Sequence, residues 1–184
     1  MKRMLIAVLS VLALFVSLLF AQPKLATSPP PETAQFAFLV GTWDCDTWWM
    51  QPDGKYVQGK AVWEARWDYD GFALLDHYSR LGKDGEILSR GTGYRSFDPD
   101  SSRWNFFTFQ LNGSFGLHAY WKKQDNGDML TYWKRQDLKG SEVLDRVRFT
   151  AITDSSFEWR LDRSRDNGES WVENGFYIIA KRMK

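Results

Sequence analysis

Cysteine, histidine and a surplus of charge are what this 184-residue chain has least of. Its one cysteine, Cys45, excludes an internal disulfide, so the fold must be held by its core. With 24 Lys and Arg against 23 Asp and Glu, the chain has no general attraction for nucleic acid or anionic lipid. Its two histidines, His77 and His118, have no identifiable Ser or Cys mate, and no Gly-x-Ser-x-Gly elbow is present, so no nucleophile constellation emerges. Long apolar runs are scarce too. Leu5 to Phe20 carries no charge, but it falls short of the ~20 residues of a membrane helix.

That run has another meaning. Lys2 and Arg3 precede it and the small Ala21 follows it, the pattern of a secretory signal peptide over residues 1–21. A periplasmic or secreted protein is expected, with no transmembrane segment after cleavage. Residues 22–35 contain Pro23 and Ser28-Pro29-Pro30-Pro31 and read as an extended linker. The folded domain is expected over residues 36–184.

Aromatic side chains supply its core. They make up 16% of the chain and include ten Trp, a composition suited to pleated, half-buried sheets. Short strands are expected at residues 39–50, 56–67, 72–81, 86–97, 104–111, 114–121, 129–133, 143–152, 157–162 and 171–181. Between them lie tight-turn signals such as Pro52-Asp53-Gly54, Asn112-Gly113, Asp125-Asn126-Gly127 and Asp166-Asn167-Gly168. Apart from a short entry at residues 33–38, nothing needs a helix. Without crossover helices the strands must be antiparallel neighbours. The fold class is therefore all-β, an antiparallel up-and-down β-barrel of about ten strands.

Alternation refines this reading. Residues 157–162 set Phe157, Trp159 and Leu161 against Glu158, Arg160 and Asp162, a one-sided strand. Residues 61–67 set Ala61, Trp63, Ala65 and Trp67 against Val62, Glu64 and Arg66. Two other strands are aromatic on both faces. Trp104 and Phe106 oppose Phe107 and Phe109, and Phe115, Leu117 and Trp121 oppose His118 and Tyr120. Either the wall carries an apolar patch on its outside, or the Pro-rich segment covers its far side.

Phe38-Leu39-Val40-Gly41-Thr42-Trp43 opens the first strand, and Ser164 to Trp171 forms a late hairpin. Together they resemble exported bacterial domains of the calycin, or lipocalin-like, kind, and more distantly the nitrobindin and fatty-acid-binding barrels. The resemblance spans residues 36–182. It implies that Gly41 and Trp43 form a structural motif in which Trp43 plugs the closed end. A basic residue would stand over Trp43, with Arg160, Lys181 or Arg182 as candidates. Ser164 to Trp171 also matches one Asp-box of a sialidase propeller, but a propeller needs several copies and this chain has one. Its physical content is a hairpin with Asp166 bonded to its own turn, a left-handed Gly168 and Trp171 packed back.

A barrel of this kind is expected to bind a small apolar or amphipathic molecule, with Trp63, Trp67, His118, Tyr120 and Trp133 as lining residues. The cofactor is left open: haem held by one axial histidine, as in the nitrobindins, is the one weighed, but neither His77 nor His118 matches a nitrobindin motif, and a wall histidine bonded to a neighbour or facing solvent is the preferred reading. Two alternatives remain: a protein-interaction module, as a homodimer or with an envelope partner, and a small barrel enzyme using His118 or His77 as general base. No metal site is read. Cys45 shares a strand face with Trp43 and is expected to be a small buried hydrophobe. Asp44, Asp46, Asp68 and Asp70 are expected to be solvated, and Arg146 and Arg148 to pair with Glu158 and Asp162.

Overall fold

The computed structural model describes residues 26–111, 116–137 and 140–184. The expected signal peptide and the Asn112-Gly113 turn lie outside the described residues. A 3-10 helix, Pro31–Leu39, leads into ten strands. They are β1 (Gly41–Met50), β2 (Tyr56–Asp68), β3 (Ala73–Leu81), β4 (Ile87–Asp98) and β5 (Arg103–Gln110), followed by β6 (Gly116–Lys123), β7 (Met129–Gln136), β8 (Glu142–Thr150), β9 (Ser156–Ser164) and β10 (Val172–Arg182). Each strand pairs with its sequence neighbours, and β10 pairs back onto β1, closing an up-and-down barrel. Among the described residues no helix is long and apolar enough to cross a membrane.

The expected and observed strands differ where polar residues hide a strand. β7 runs on to Gln136, because Lys134, Arg135 and Gln136 continue the ladder to β8. β8 stops at Thr150, where Ala151 takes a left-handed φ of 49°. The Pro-rich segment, read as a linker through residue 35, is already helical from Pro31, and the Pro31 ring suits the first helical positions. This helix does not cover the outside of the wall. It drives Phe36 and Leu39, both fully buried, into one end of the barrel. There Phe36 meets Trp104, Trp121 and Phe149 edge-on, at centroid distances of 4.9 to 6.0 Å. Each such burial stabilises the fold by roughly 1.5–3 kcal/mol.

Trp43 plugs this same end. Its ring is fully buried against Phe157 and its indole N–H donates to the Leu39 carbonyl at 2.8 Å. The basic partner is Arg182, whose guanidinium carbon lies 4.1 Å from the ring centroid. Arg182 also donates to the carbonyls of Val40, Phe38 and Asp154, so it ties the last strand to the entry of the first. Gly41 makes room for it. Its φ of +125° suits glycine alone, and a Cβ there would run into the guanidinium.

One seam in the wall is thin. Among the described residues the β6–β7 ladder consists of Lys122↔Leu130 and Lys123↔Met129, whereas β5 and β6 share six pairs. Beyond the hairpin no further β6–β7 pair forms among the described residues, and among them the buried Thr131 hydroxyl on β7 has no partner.

Gly41→Ala is expected to cost about 3 kcal/mol through backbone strain and the displaced Arg182, and denaturant unfolding would measure it. An unchanged midpoint would remove the Arg182 contact from the account of closure. Burial pushes the Cys45 thiol up to about 12, so it stays protonated at pH 8. A thiol-exchange reagent at that pH should label only unfolded chain.

Candidate functional site: the barrel lumen

Strand direction sorts the lumen into levels. The aromatic plug closes the end where β1 begins. The opposite end, where β1, β3, β5, β7 and β9 finish, holds a cavity of about 530 Å³. Its apolar walls come from Trp63, Phe106, Trp133, Trp159, Leu161 and Phe176. Trp133 lies 6.0 Å from Trp159 and 6.4 Å from Phe106 between ring centroids, and Trp63 meets Tyr78 edge-on at 5.4 Å.

At the base of this cavity lies a fully buried ion pair. Arg95 on β4 bonds through Nη1 to Asp76 Oδ2 on β3, while Trp63 Nε1 donates to Asp76 Oδ1 at 2.8 Å. Gly93 makes the space, since a Cβ there would sit 2.6 Å from Asp76 Oδ2. The guanidinium stacks 4.4 Å from the Phe106 centroid and 5.2 Å from Phe36. Burial lowers Arg95 from its ordinary value to about 9, which leaves it charged at neutral pH. Burying a pair costs desolvation of both ions, and the attraction offsets that cost only with complete hydrogen bonding.

A second ion cluster stands nearer the mouth. Asp145 on β8 has a fully buried side chain and accepts from Arg135 Nε at 2.8 Å and from Arg163 Nε at 2.7 Å. Both arginines line the cavity from β7 and β9. Arg80 lines it from β3, on the opposite wall, and among the described residues no carboxylate pairs with it.

The expected lining residues divide. Trp63 and Trp133 line the cavity. Trp67 shares the inward face of β2 but packs into the core below and does not line the cavity. His118 and Tyr120 stand on the outer face, because inward Ala119 and Trp121 alternate with them. His118 stacks on Phe107 at 4.3 Å, and Arg103 lies 3.6 Å over Tyr120. With the exposed Phe109, Leu111 and Tyr132 these residues form the outer aromatic patch. His77 is also outside, with Nδ1 3.0 Å from Thr92 Oγ1. Neither histidine reaches the lumen, so the cavity contains no histidine to ligate a haem iron or to act as a base there.

Other expectations resolve locally. Asp46 and Asp44 pair with Lys60 across the β1–β2 ladder. Arg146 and Arg148 both bind Asp162, whose other oxygen accepts from the Asn174 amide and shapes the β10 bulge. Glu158 pairs with Arg160 instead. In the late hairpin Asp166 accepts from Ser164 and Ser170, which hold its carboxyl well below the usual range, and the Trp171 indole donates to Gly168. Arg146 stacks over Trp171 at 4.5 Å.

The charged lumen residues carried one legible signal. Gly91 and Gly93 at alternate positions of one strand mark a close approach on that face, and Arg95 is next in the same phase.

Fold and cavity together define a closed ten-stranded antiparallel up-and-down barrel with a lumen open at one end. No protein-family model matches the sequence, and no curated protein is similar enough to count as a relative. Solved structures do match. The S-type phycobiliprotein lyase of Guillardia theta superposes with a TM-score of 0.56 at 11% identity, covering 85% of this chain and 99% of that one. Rv2717c from M. tuberculosis gives 0.53 at 11% identity, covering 85% and 100%. At such identity the likeness is one of fold.

Arg95→Met alone should destabilise the barrel by about 3–5 kcal/mol, since it leaves Asp76 buried and uncompensated. Adding Asp76→Leu should restore most of that loss. Denaturant titration of the single and double variants checks this, and additive losses would show that the pair is not coupled.

Proposed function

We propose that the protein is an exported carrier that holds one small amphipathic molecule in the barrel lumen. The observation that carries this reading is the cavity itself, an aromatic-walled space above a buried ion pair and open at one end. A barrel meant only as a scaffold would fill that space with side chains, as the closed end of this one does. Export rests on the charged start, the apolar run and Ala21.

The outer aromatic patch supports a second reading. Phe107, Phe109 and Leu111 are each about half exposed or more, at 51%, 48% and 61%, and lie on or beside β5. Neighbouring apolar residues of this size suit a contact with a second protein, including another copy of the chain.

One experiment separates these. The full-length chain is expressed in a bacterium and the periplasmic fraction examined by native mass spectrometry. A mass beginning at Gln22 supports export, and an added mass lost on denaturation supports carriage. A dimer mass supports the patch as an interface. Thr108→Trp, placed in the lumen wall, should abolish the added mass while leaving the fold intact by circular dichroism. An added mass that survives this substitution would place the ligand elsewhere.

A further inference from the structure

The lumen is unevenly supplied with charge and with hydrogen-bonding groups. Six ionisable side chains of fixed sign line it, the four cations Arg80, Arg95, Arg135 and Arg163 against the two anions Asp76 and Asp145, leaving two positive charges in excess. The chain as a whole carries +1, so the excess is concentrated inside. Aromatic walls of low dielectric strengthen its effect on whatever enters.

The hydrogen bonds lean the same way. Every carboxylate oxygen in the lumen is taken. Asp76 Oδ1 accepts from Trp63 and Oδ2 from Arg95, while Asp145 Oδ1 accepts from Arg163 and Oδ2 from Arg135 and Arg163. Four buried polar atoms of the lining are left over, and each can donate. Tyr78 Oη, Arg95 Nε, Trp121 Nε1 and Trp133 Nε1 are buried without a partner among the described residues. Burial raises the Tyr78 phenol above its ordinary value, so it keeps its proton and remains a donor. Unpaired buried donors are costly, and a ligand rich in acceptors relieves that cost.

We infer that the molecule carried in the lumen is an organic anion, an aromatic or aliphatic body bearing a carboxylate, sulfonate or phosphate. Its charged end lies at the mouth, between Arg80 on one wall and the Arg135–Asp145–Arg163 cluster on the other, and its apolar body lies against Trp63, Phe106, Trp133 and Trp159. This rests on the carrier reading above. A neutral or cationic ligand of the same shape would leave two positive charges uncompensated. Arg80 is the sharpest test: it is exposed at the mouth, and among the described residues no carboxylate pairs with it, so its replacement disturbs no ion pair there.

Two dyes share one body and differ in one group: anilinonaphthalene sulfonate and the neutral N-phenylnaphthylamine. Both fluoresce on entering an apolar site, and the mature protein is titrated with each. The sulfonate should bind one per chain and about tenfold more tightly than the neutral dye. Arg80→Gln and Arg163→Gln should each remove most of that preference, while Arg66→Gln, on the outer face of β2, should leave it intact. Thr108→Trp should abolish binding of both dyes. Equal affinity for the two dyes, or a preference that survives both lumen substitutions, overturns the anion inference while the carrier reading stands. Binding that persists in Thr108→Trp, or no binding of either dye, overturns both.

Discussion

Closure of the wall depends on Arg182. The β1–β10 ladder joins the two ends of the domain, the pairing with the greatest sequence separation and hence the largest loop-closure cost. Arg182 meets that cost with contacts that no other residue makes together. It covers the Trp43 ring and donates to two carbonyls of the entry helix and its exit, and to a third in the β8–β9 turn. The plug, the helix and the last strand are thereby one unit. Gly41 is glycine because the guanidinium occupies the space where a side chain would begin. Everything above this end, including the cavity, hangs from a ring of strands closed here.

The interior then changes character along its axis. Packed aromatics fill the closed end, a buried ion pair crosses the middle, and arginines rim the mouth. Placing ions above an aromatic plug is an expensive arrangement, since desolvated charges stabilise a fold less than apolar residues of the same size. Its return lies in selectivity. The Asp76–Arg95 pair fixes the β3–β4 register in the lumen with a directional contact, and it orients the Trp63 indole toward the same carboxylate. The apolar walls above it can then be wide, because the strands are not held apart by packing alone.

Much of this was written in the order of residues. Turn pairs and alternation marked ten antiparallel strands, and the Gly-x-Trp opening marked the plugged end with Arg182 among its candidate partners. The one-sided character was legible on β2 and β9, where one side is largely polar. It was not legible on β6, where Leu117 and Trp121 face in while the equally aromatic His118 and Tyr120 face out. When both faces are apolar, a one-residue change of phase exchanges them, and only pairing with β5 settles which is which. The lumen charges were hidden for the opposite reason. Asp76, Arg95, Asp145 and Arg163 look like solvent-facing residues within their own strands. Their partners lie on neighbouring strands 18 or 19 residues away in sequence.

The thin β6–β7 seam gives the barrel a mechanical asymmetry. A cylinder of staves bound equally all round resists expansion in every direction alike. One with a single short joint yields there first, with the β6–β7 hairpin as its hinge and the remaining nine joints as a stiff shell. The backbone groups of β6 and β7 beyond that hinge behave as sheet edges, even though the sheet as a whole has none. The molecule is therefore closed in topology but, in its elastic behaviour, a curled sheet fastened at one corner, and the side chains nearest the slack include Trp121, Thr131 and Trp133, whose polar atoms have no partner among the described residues.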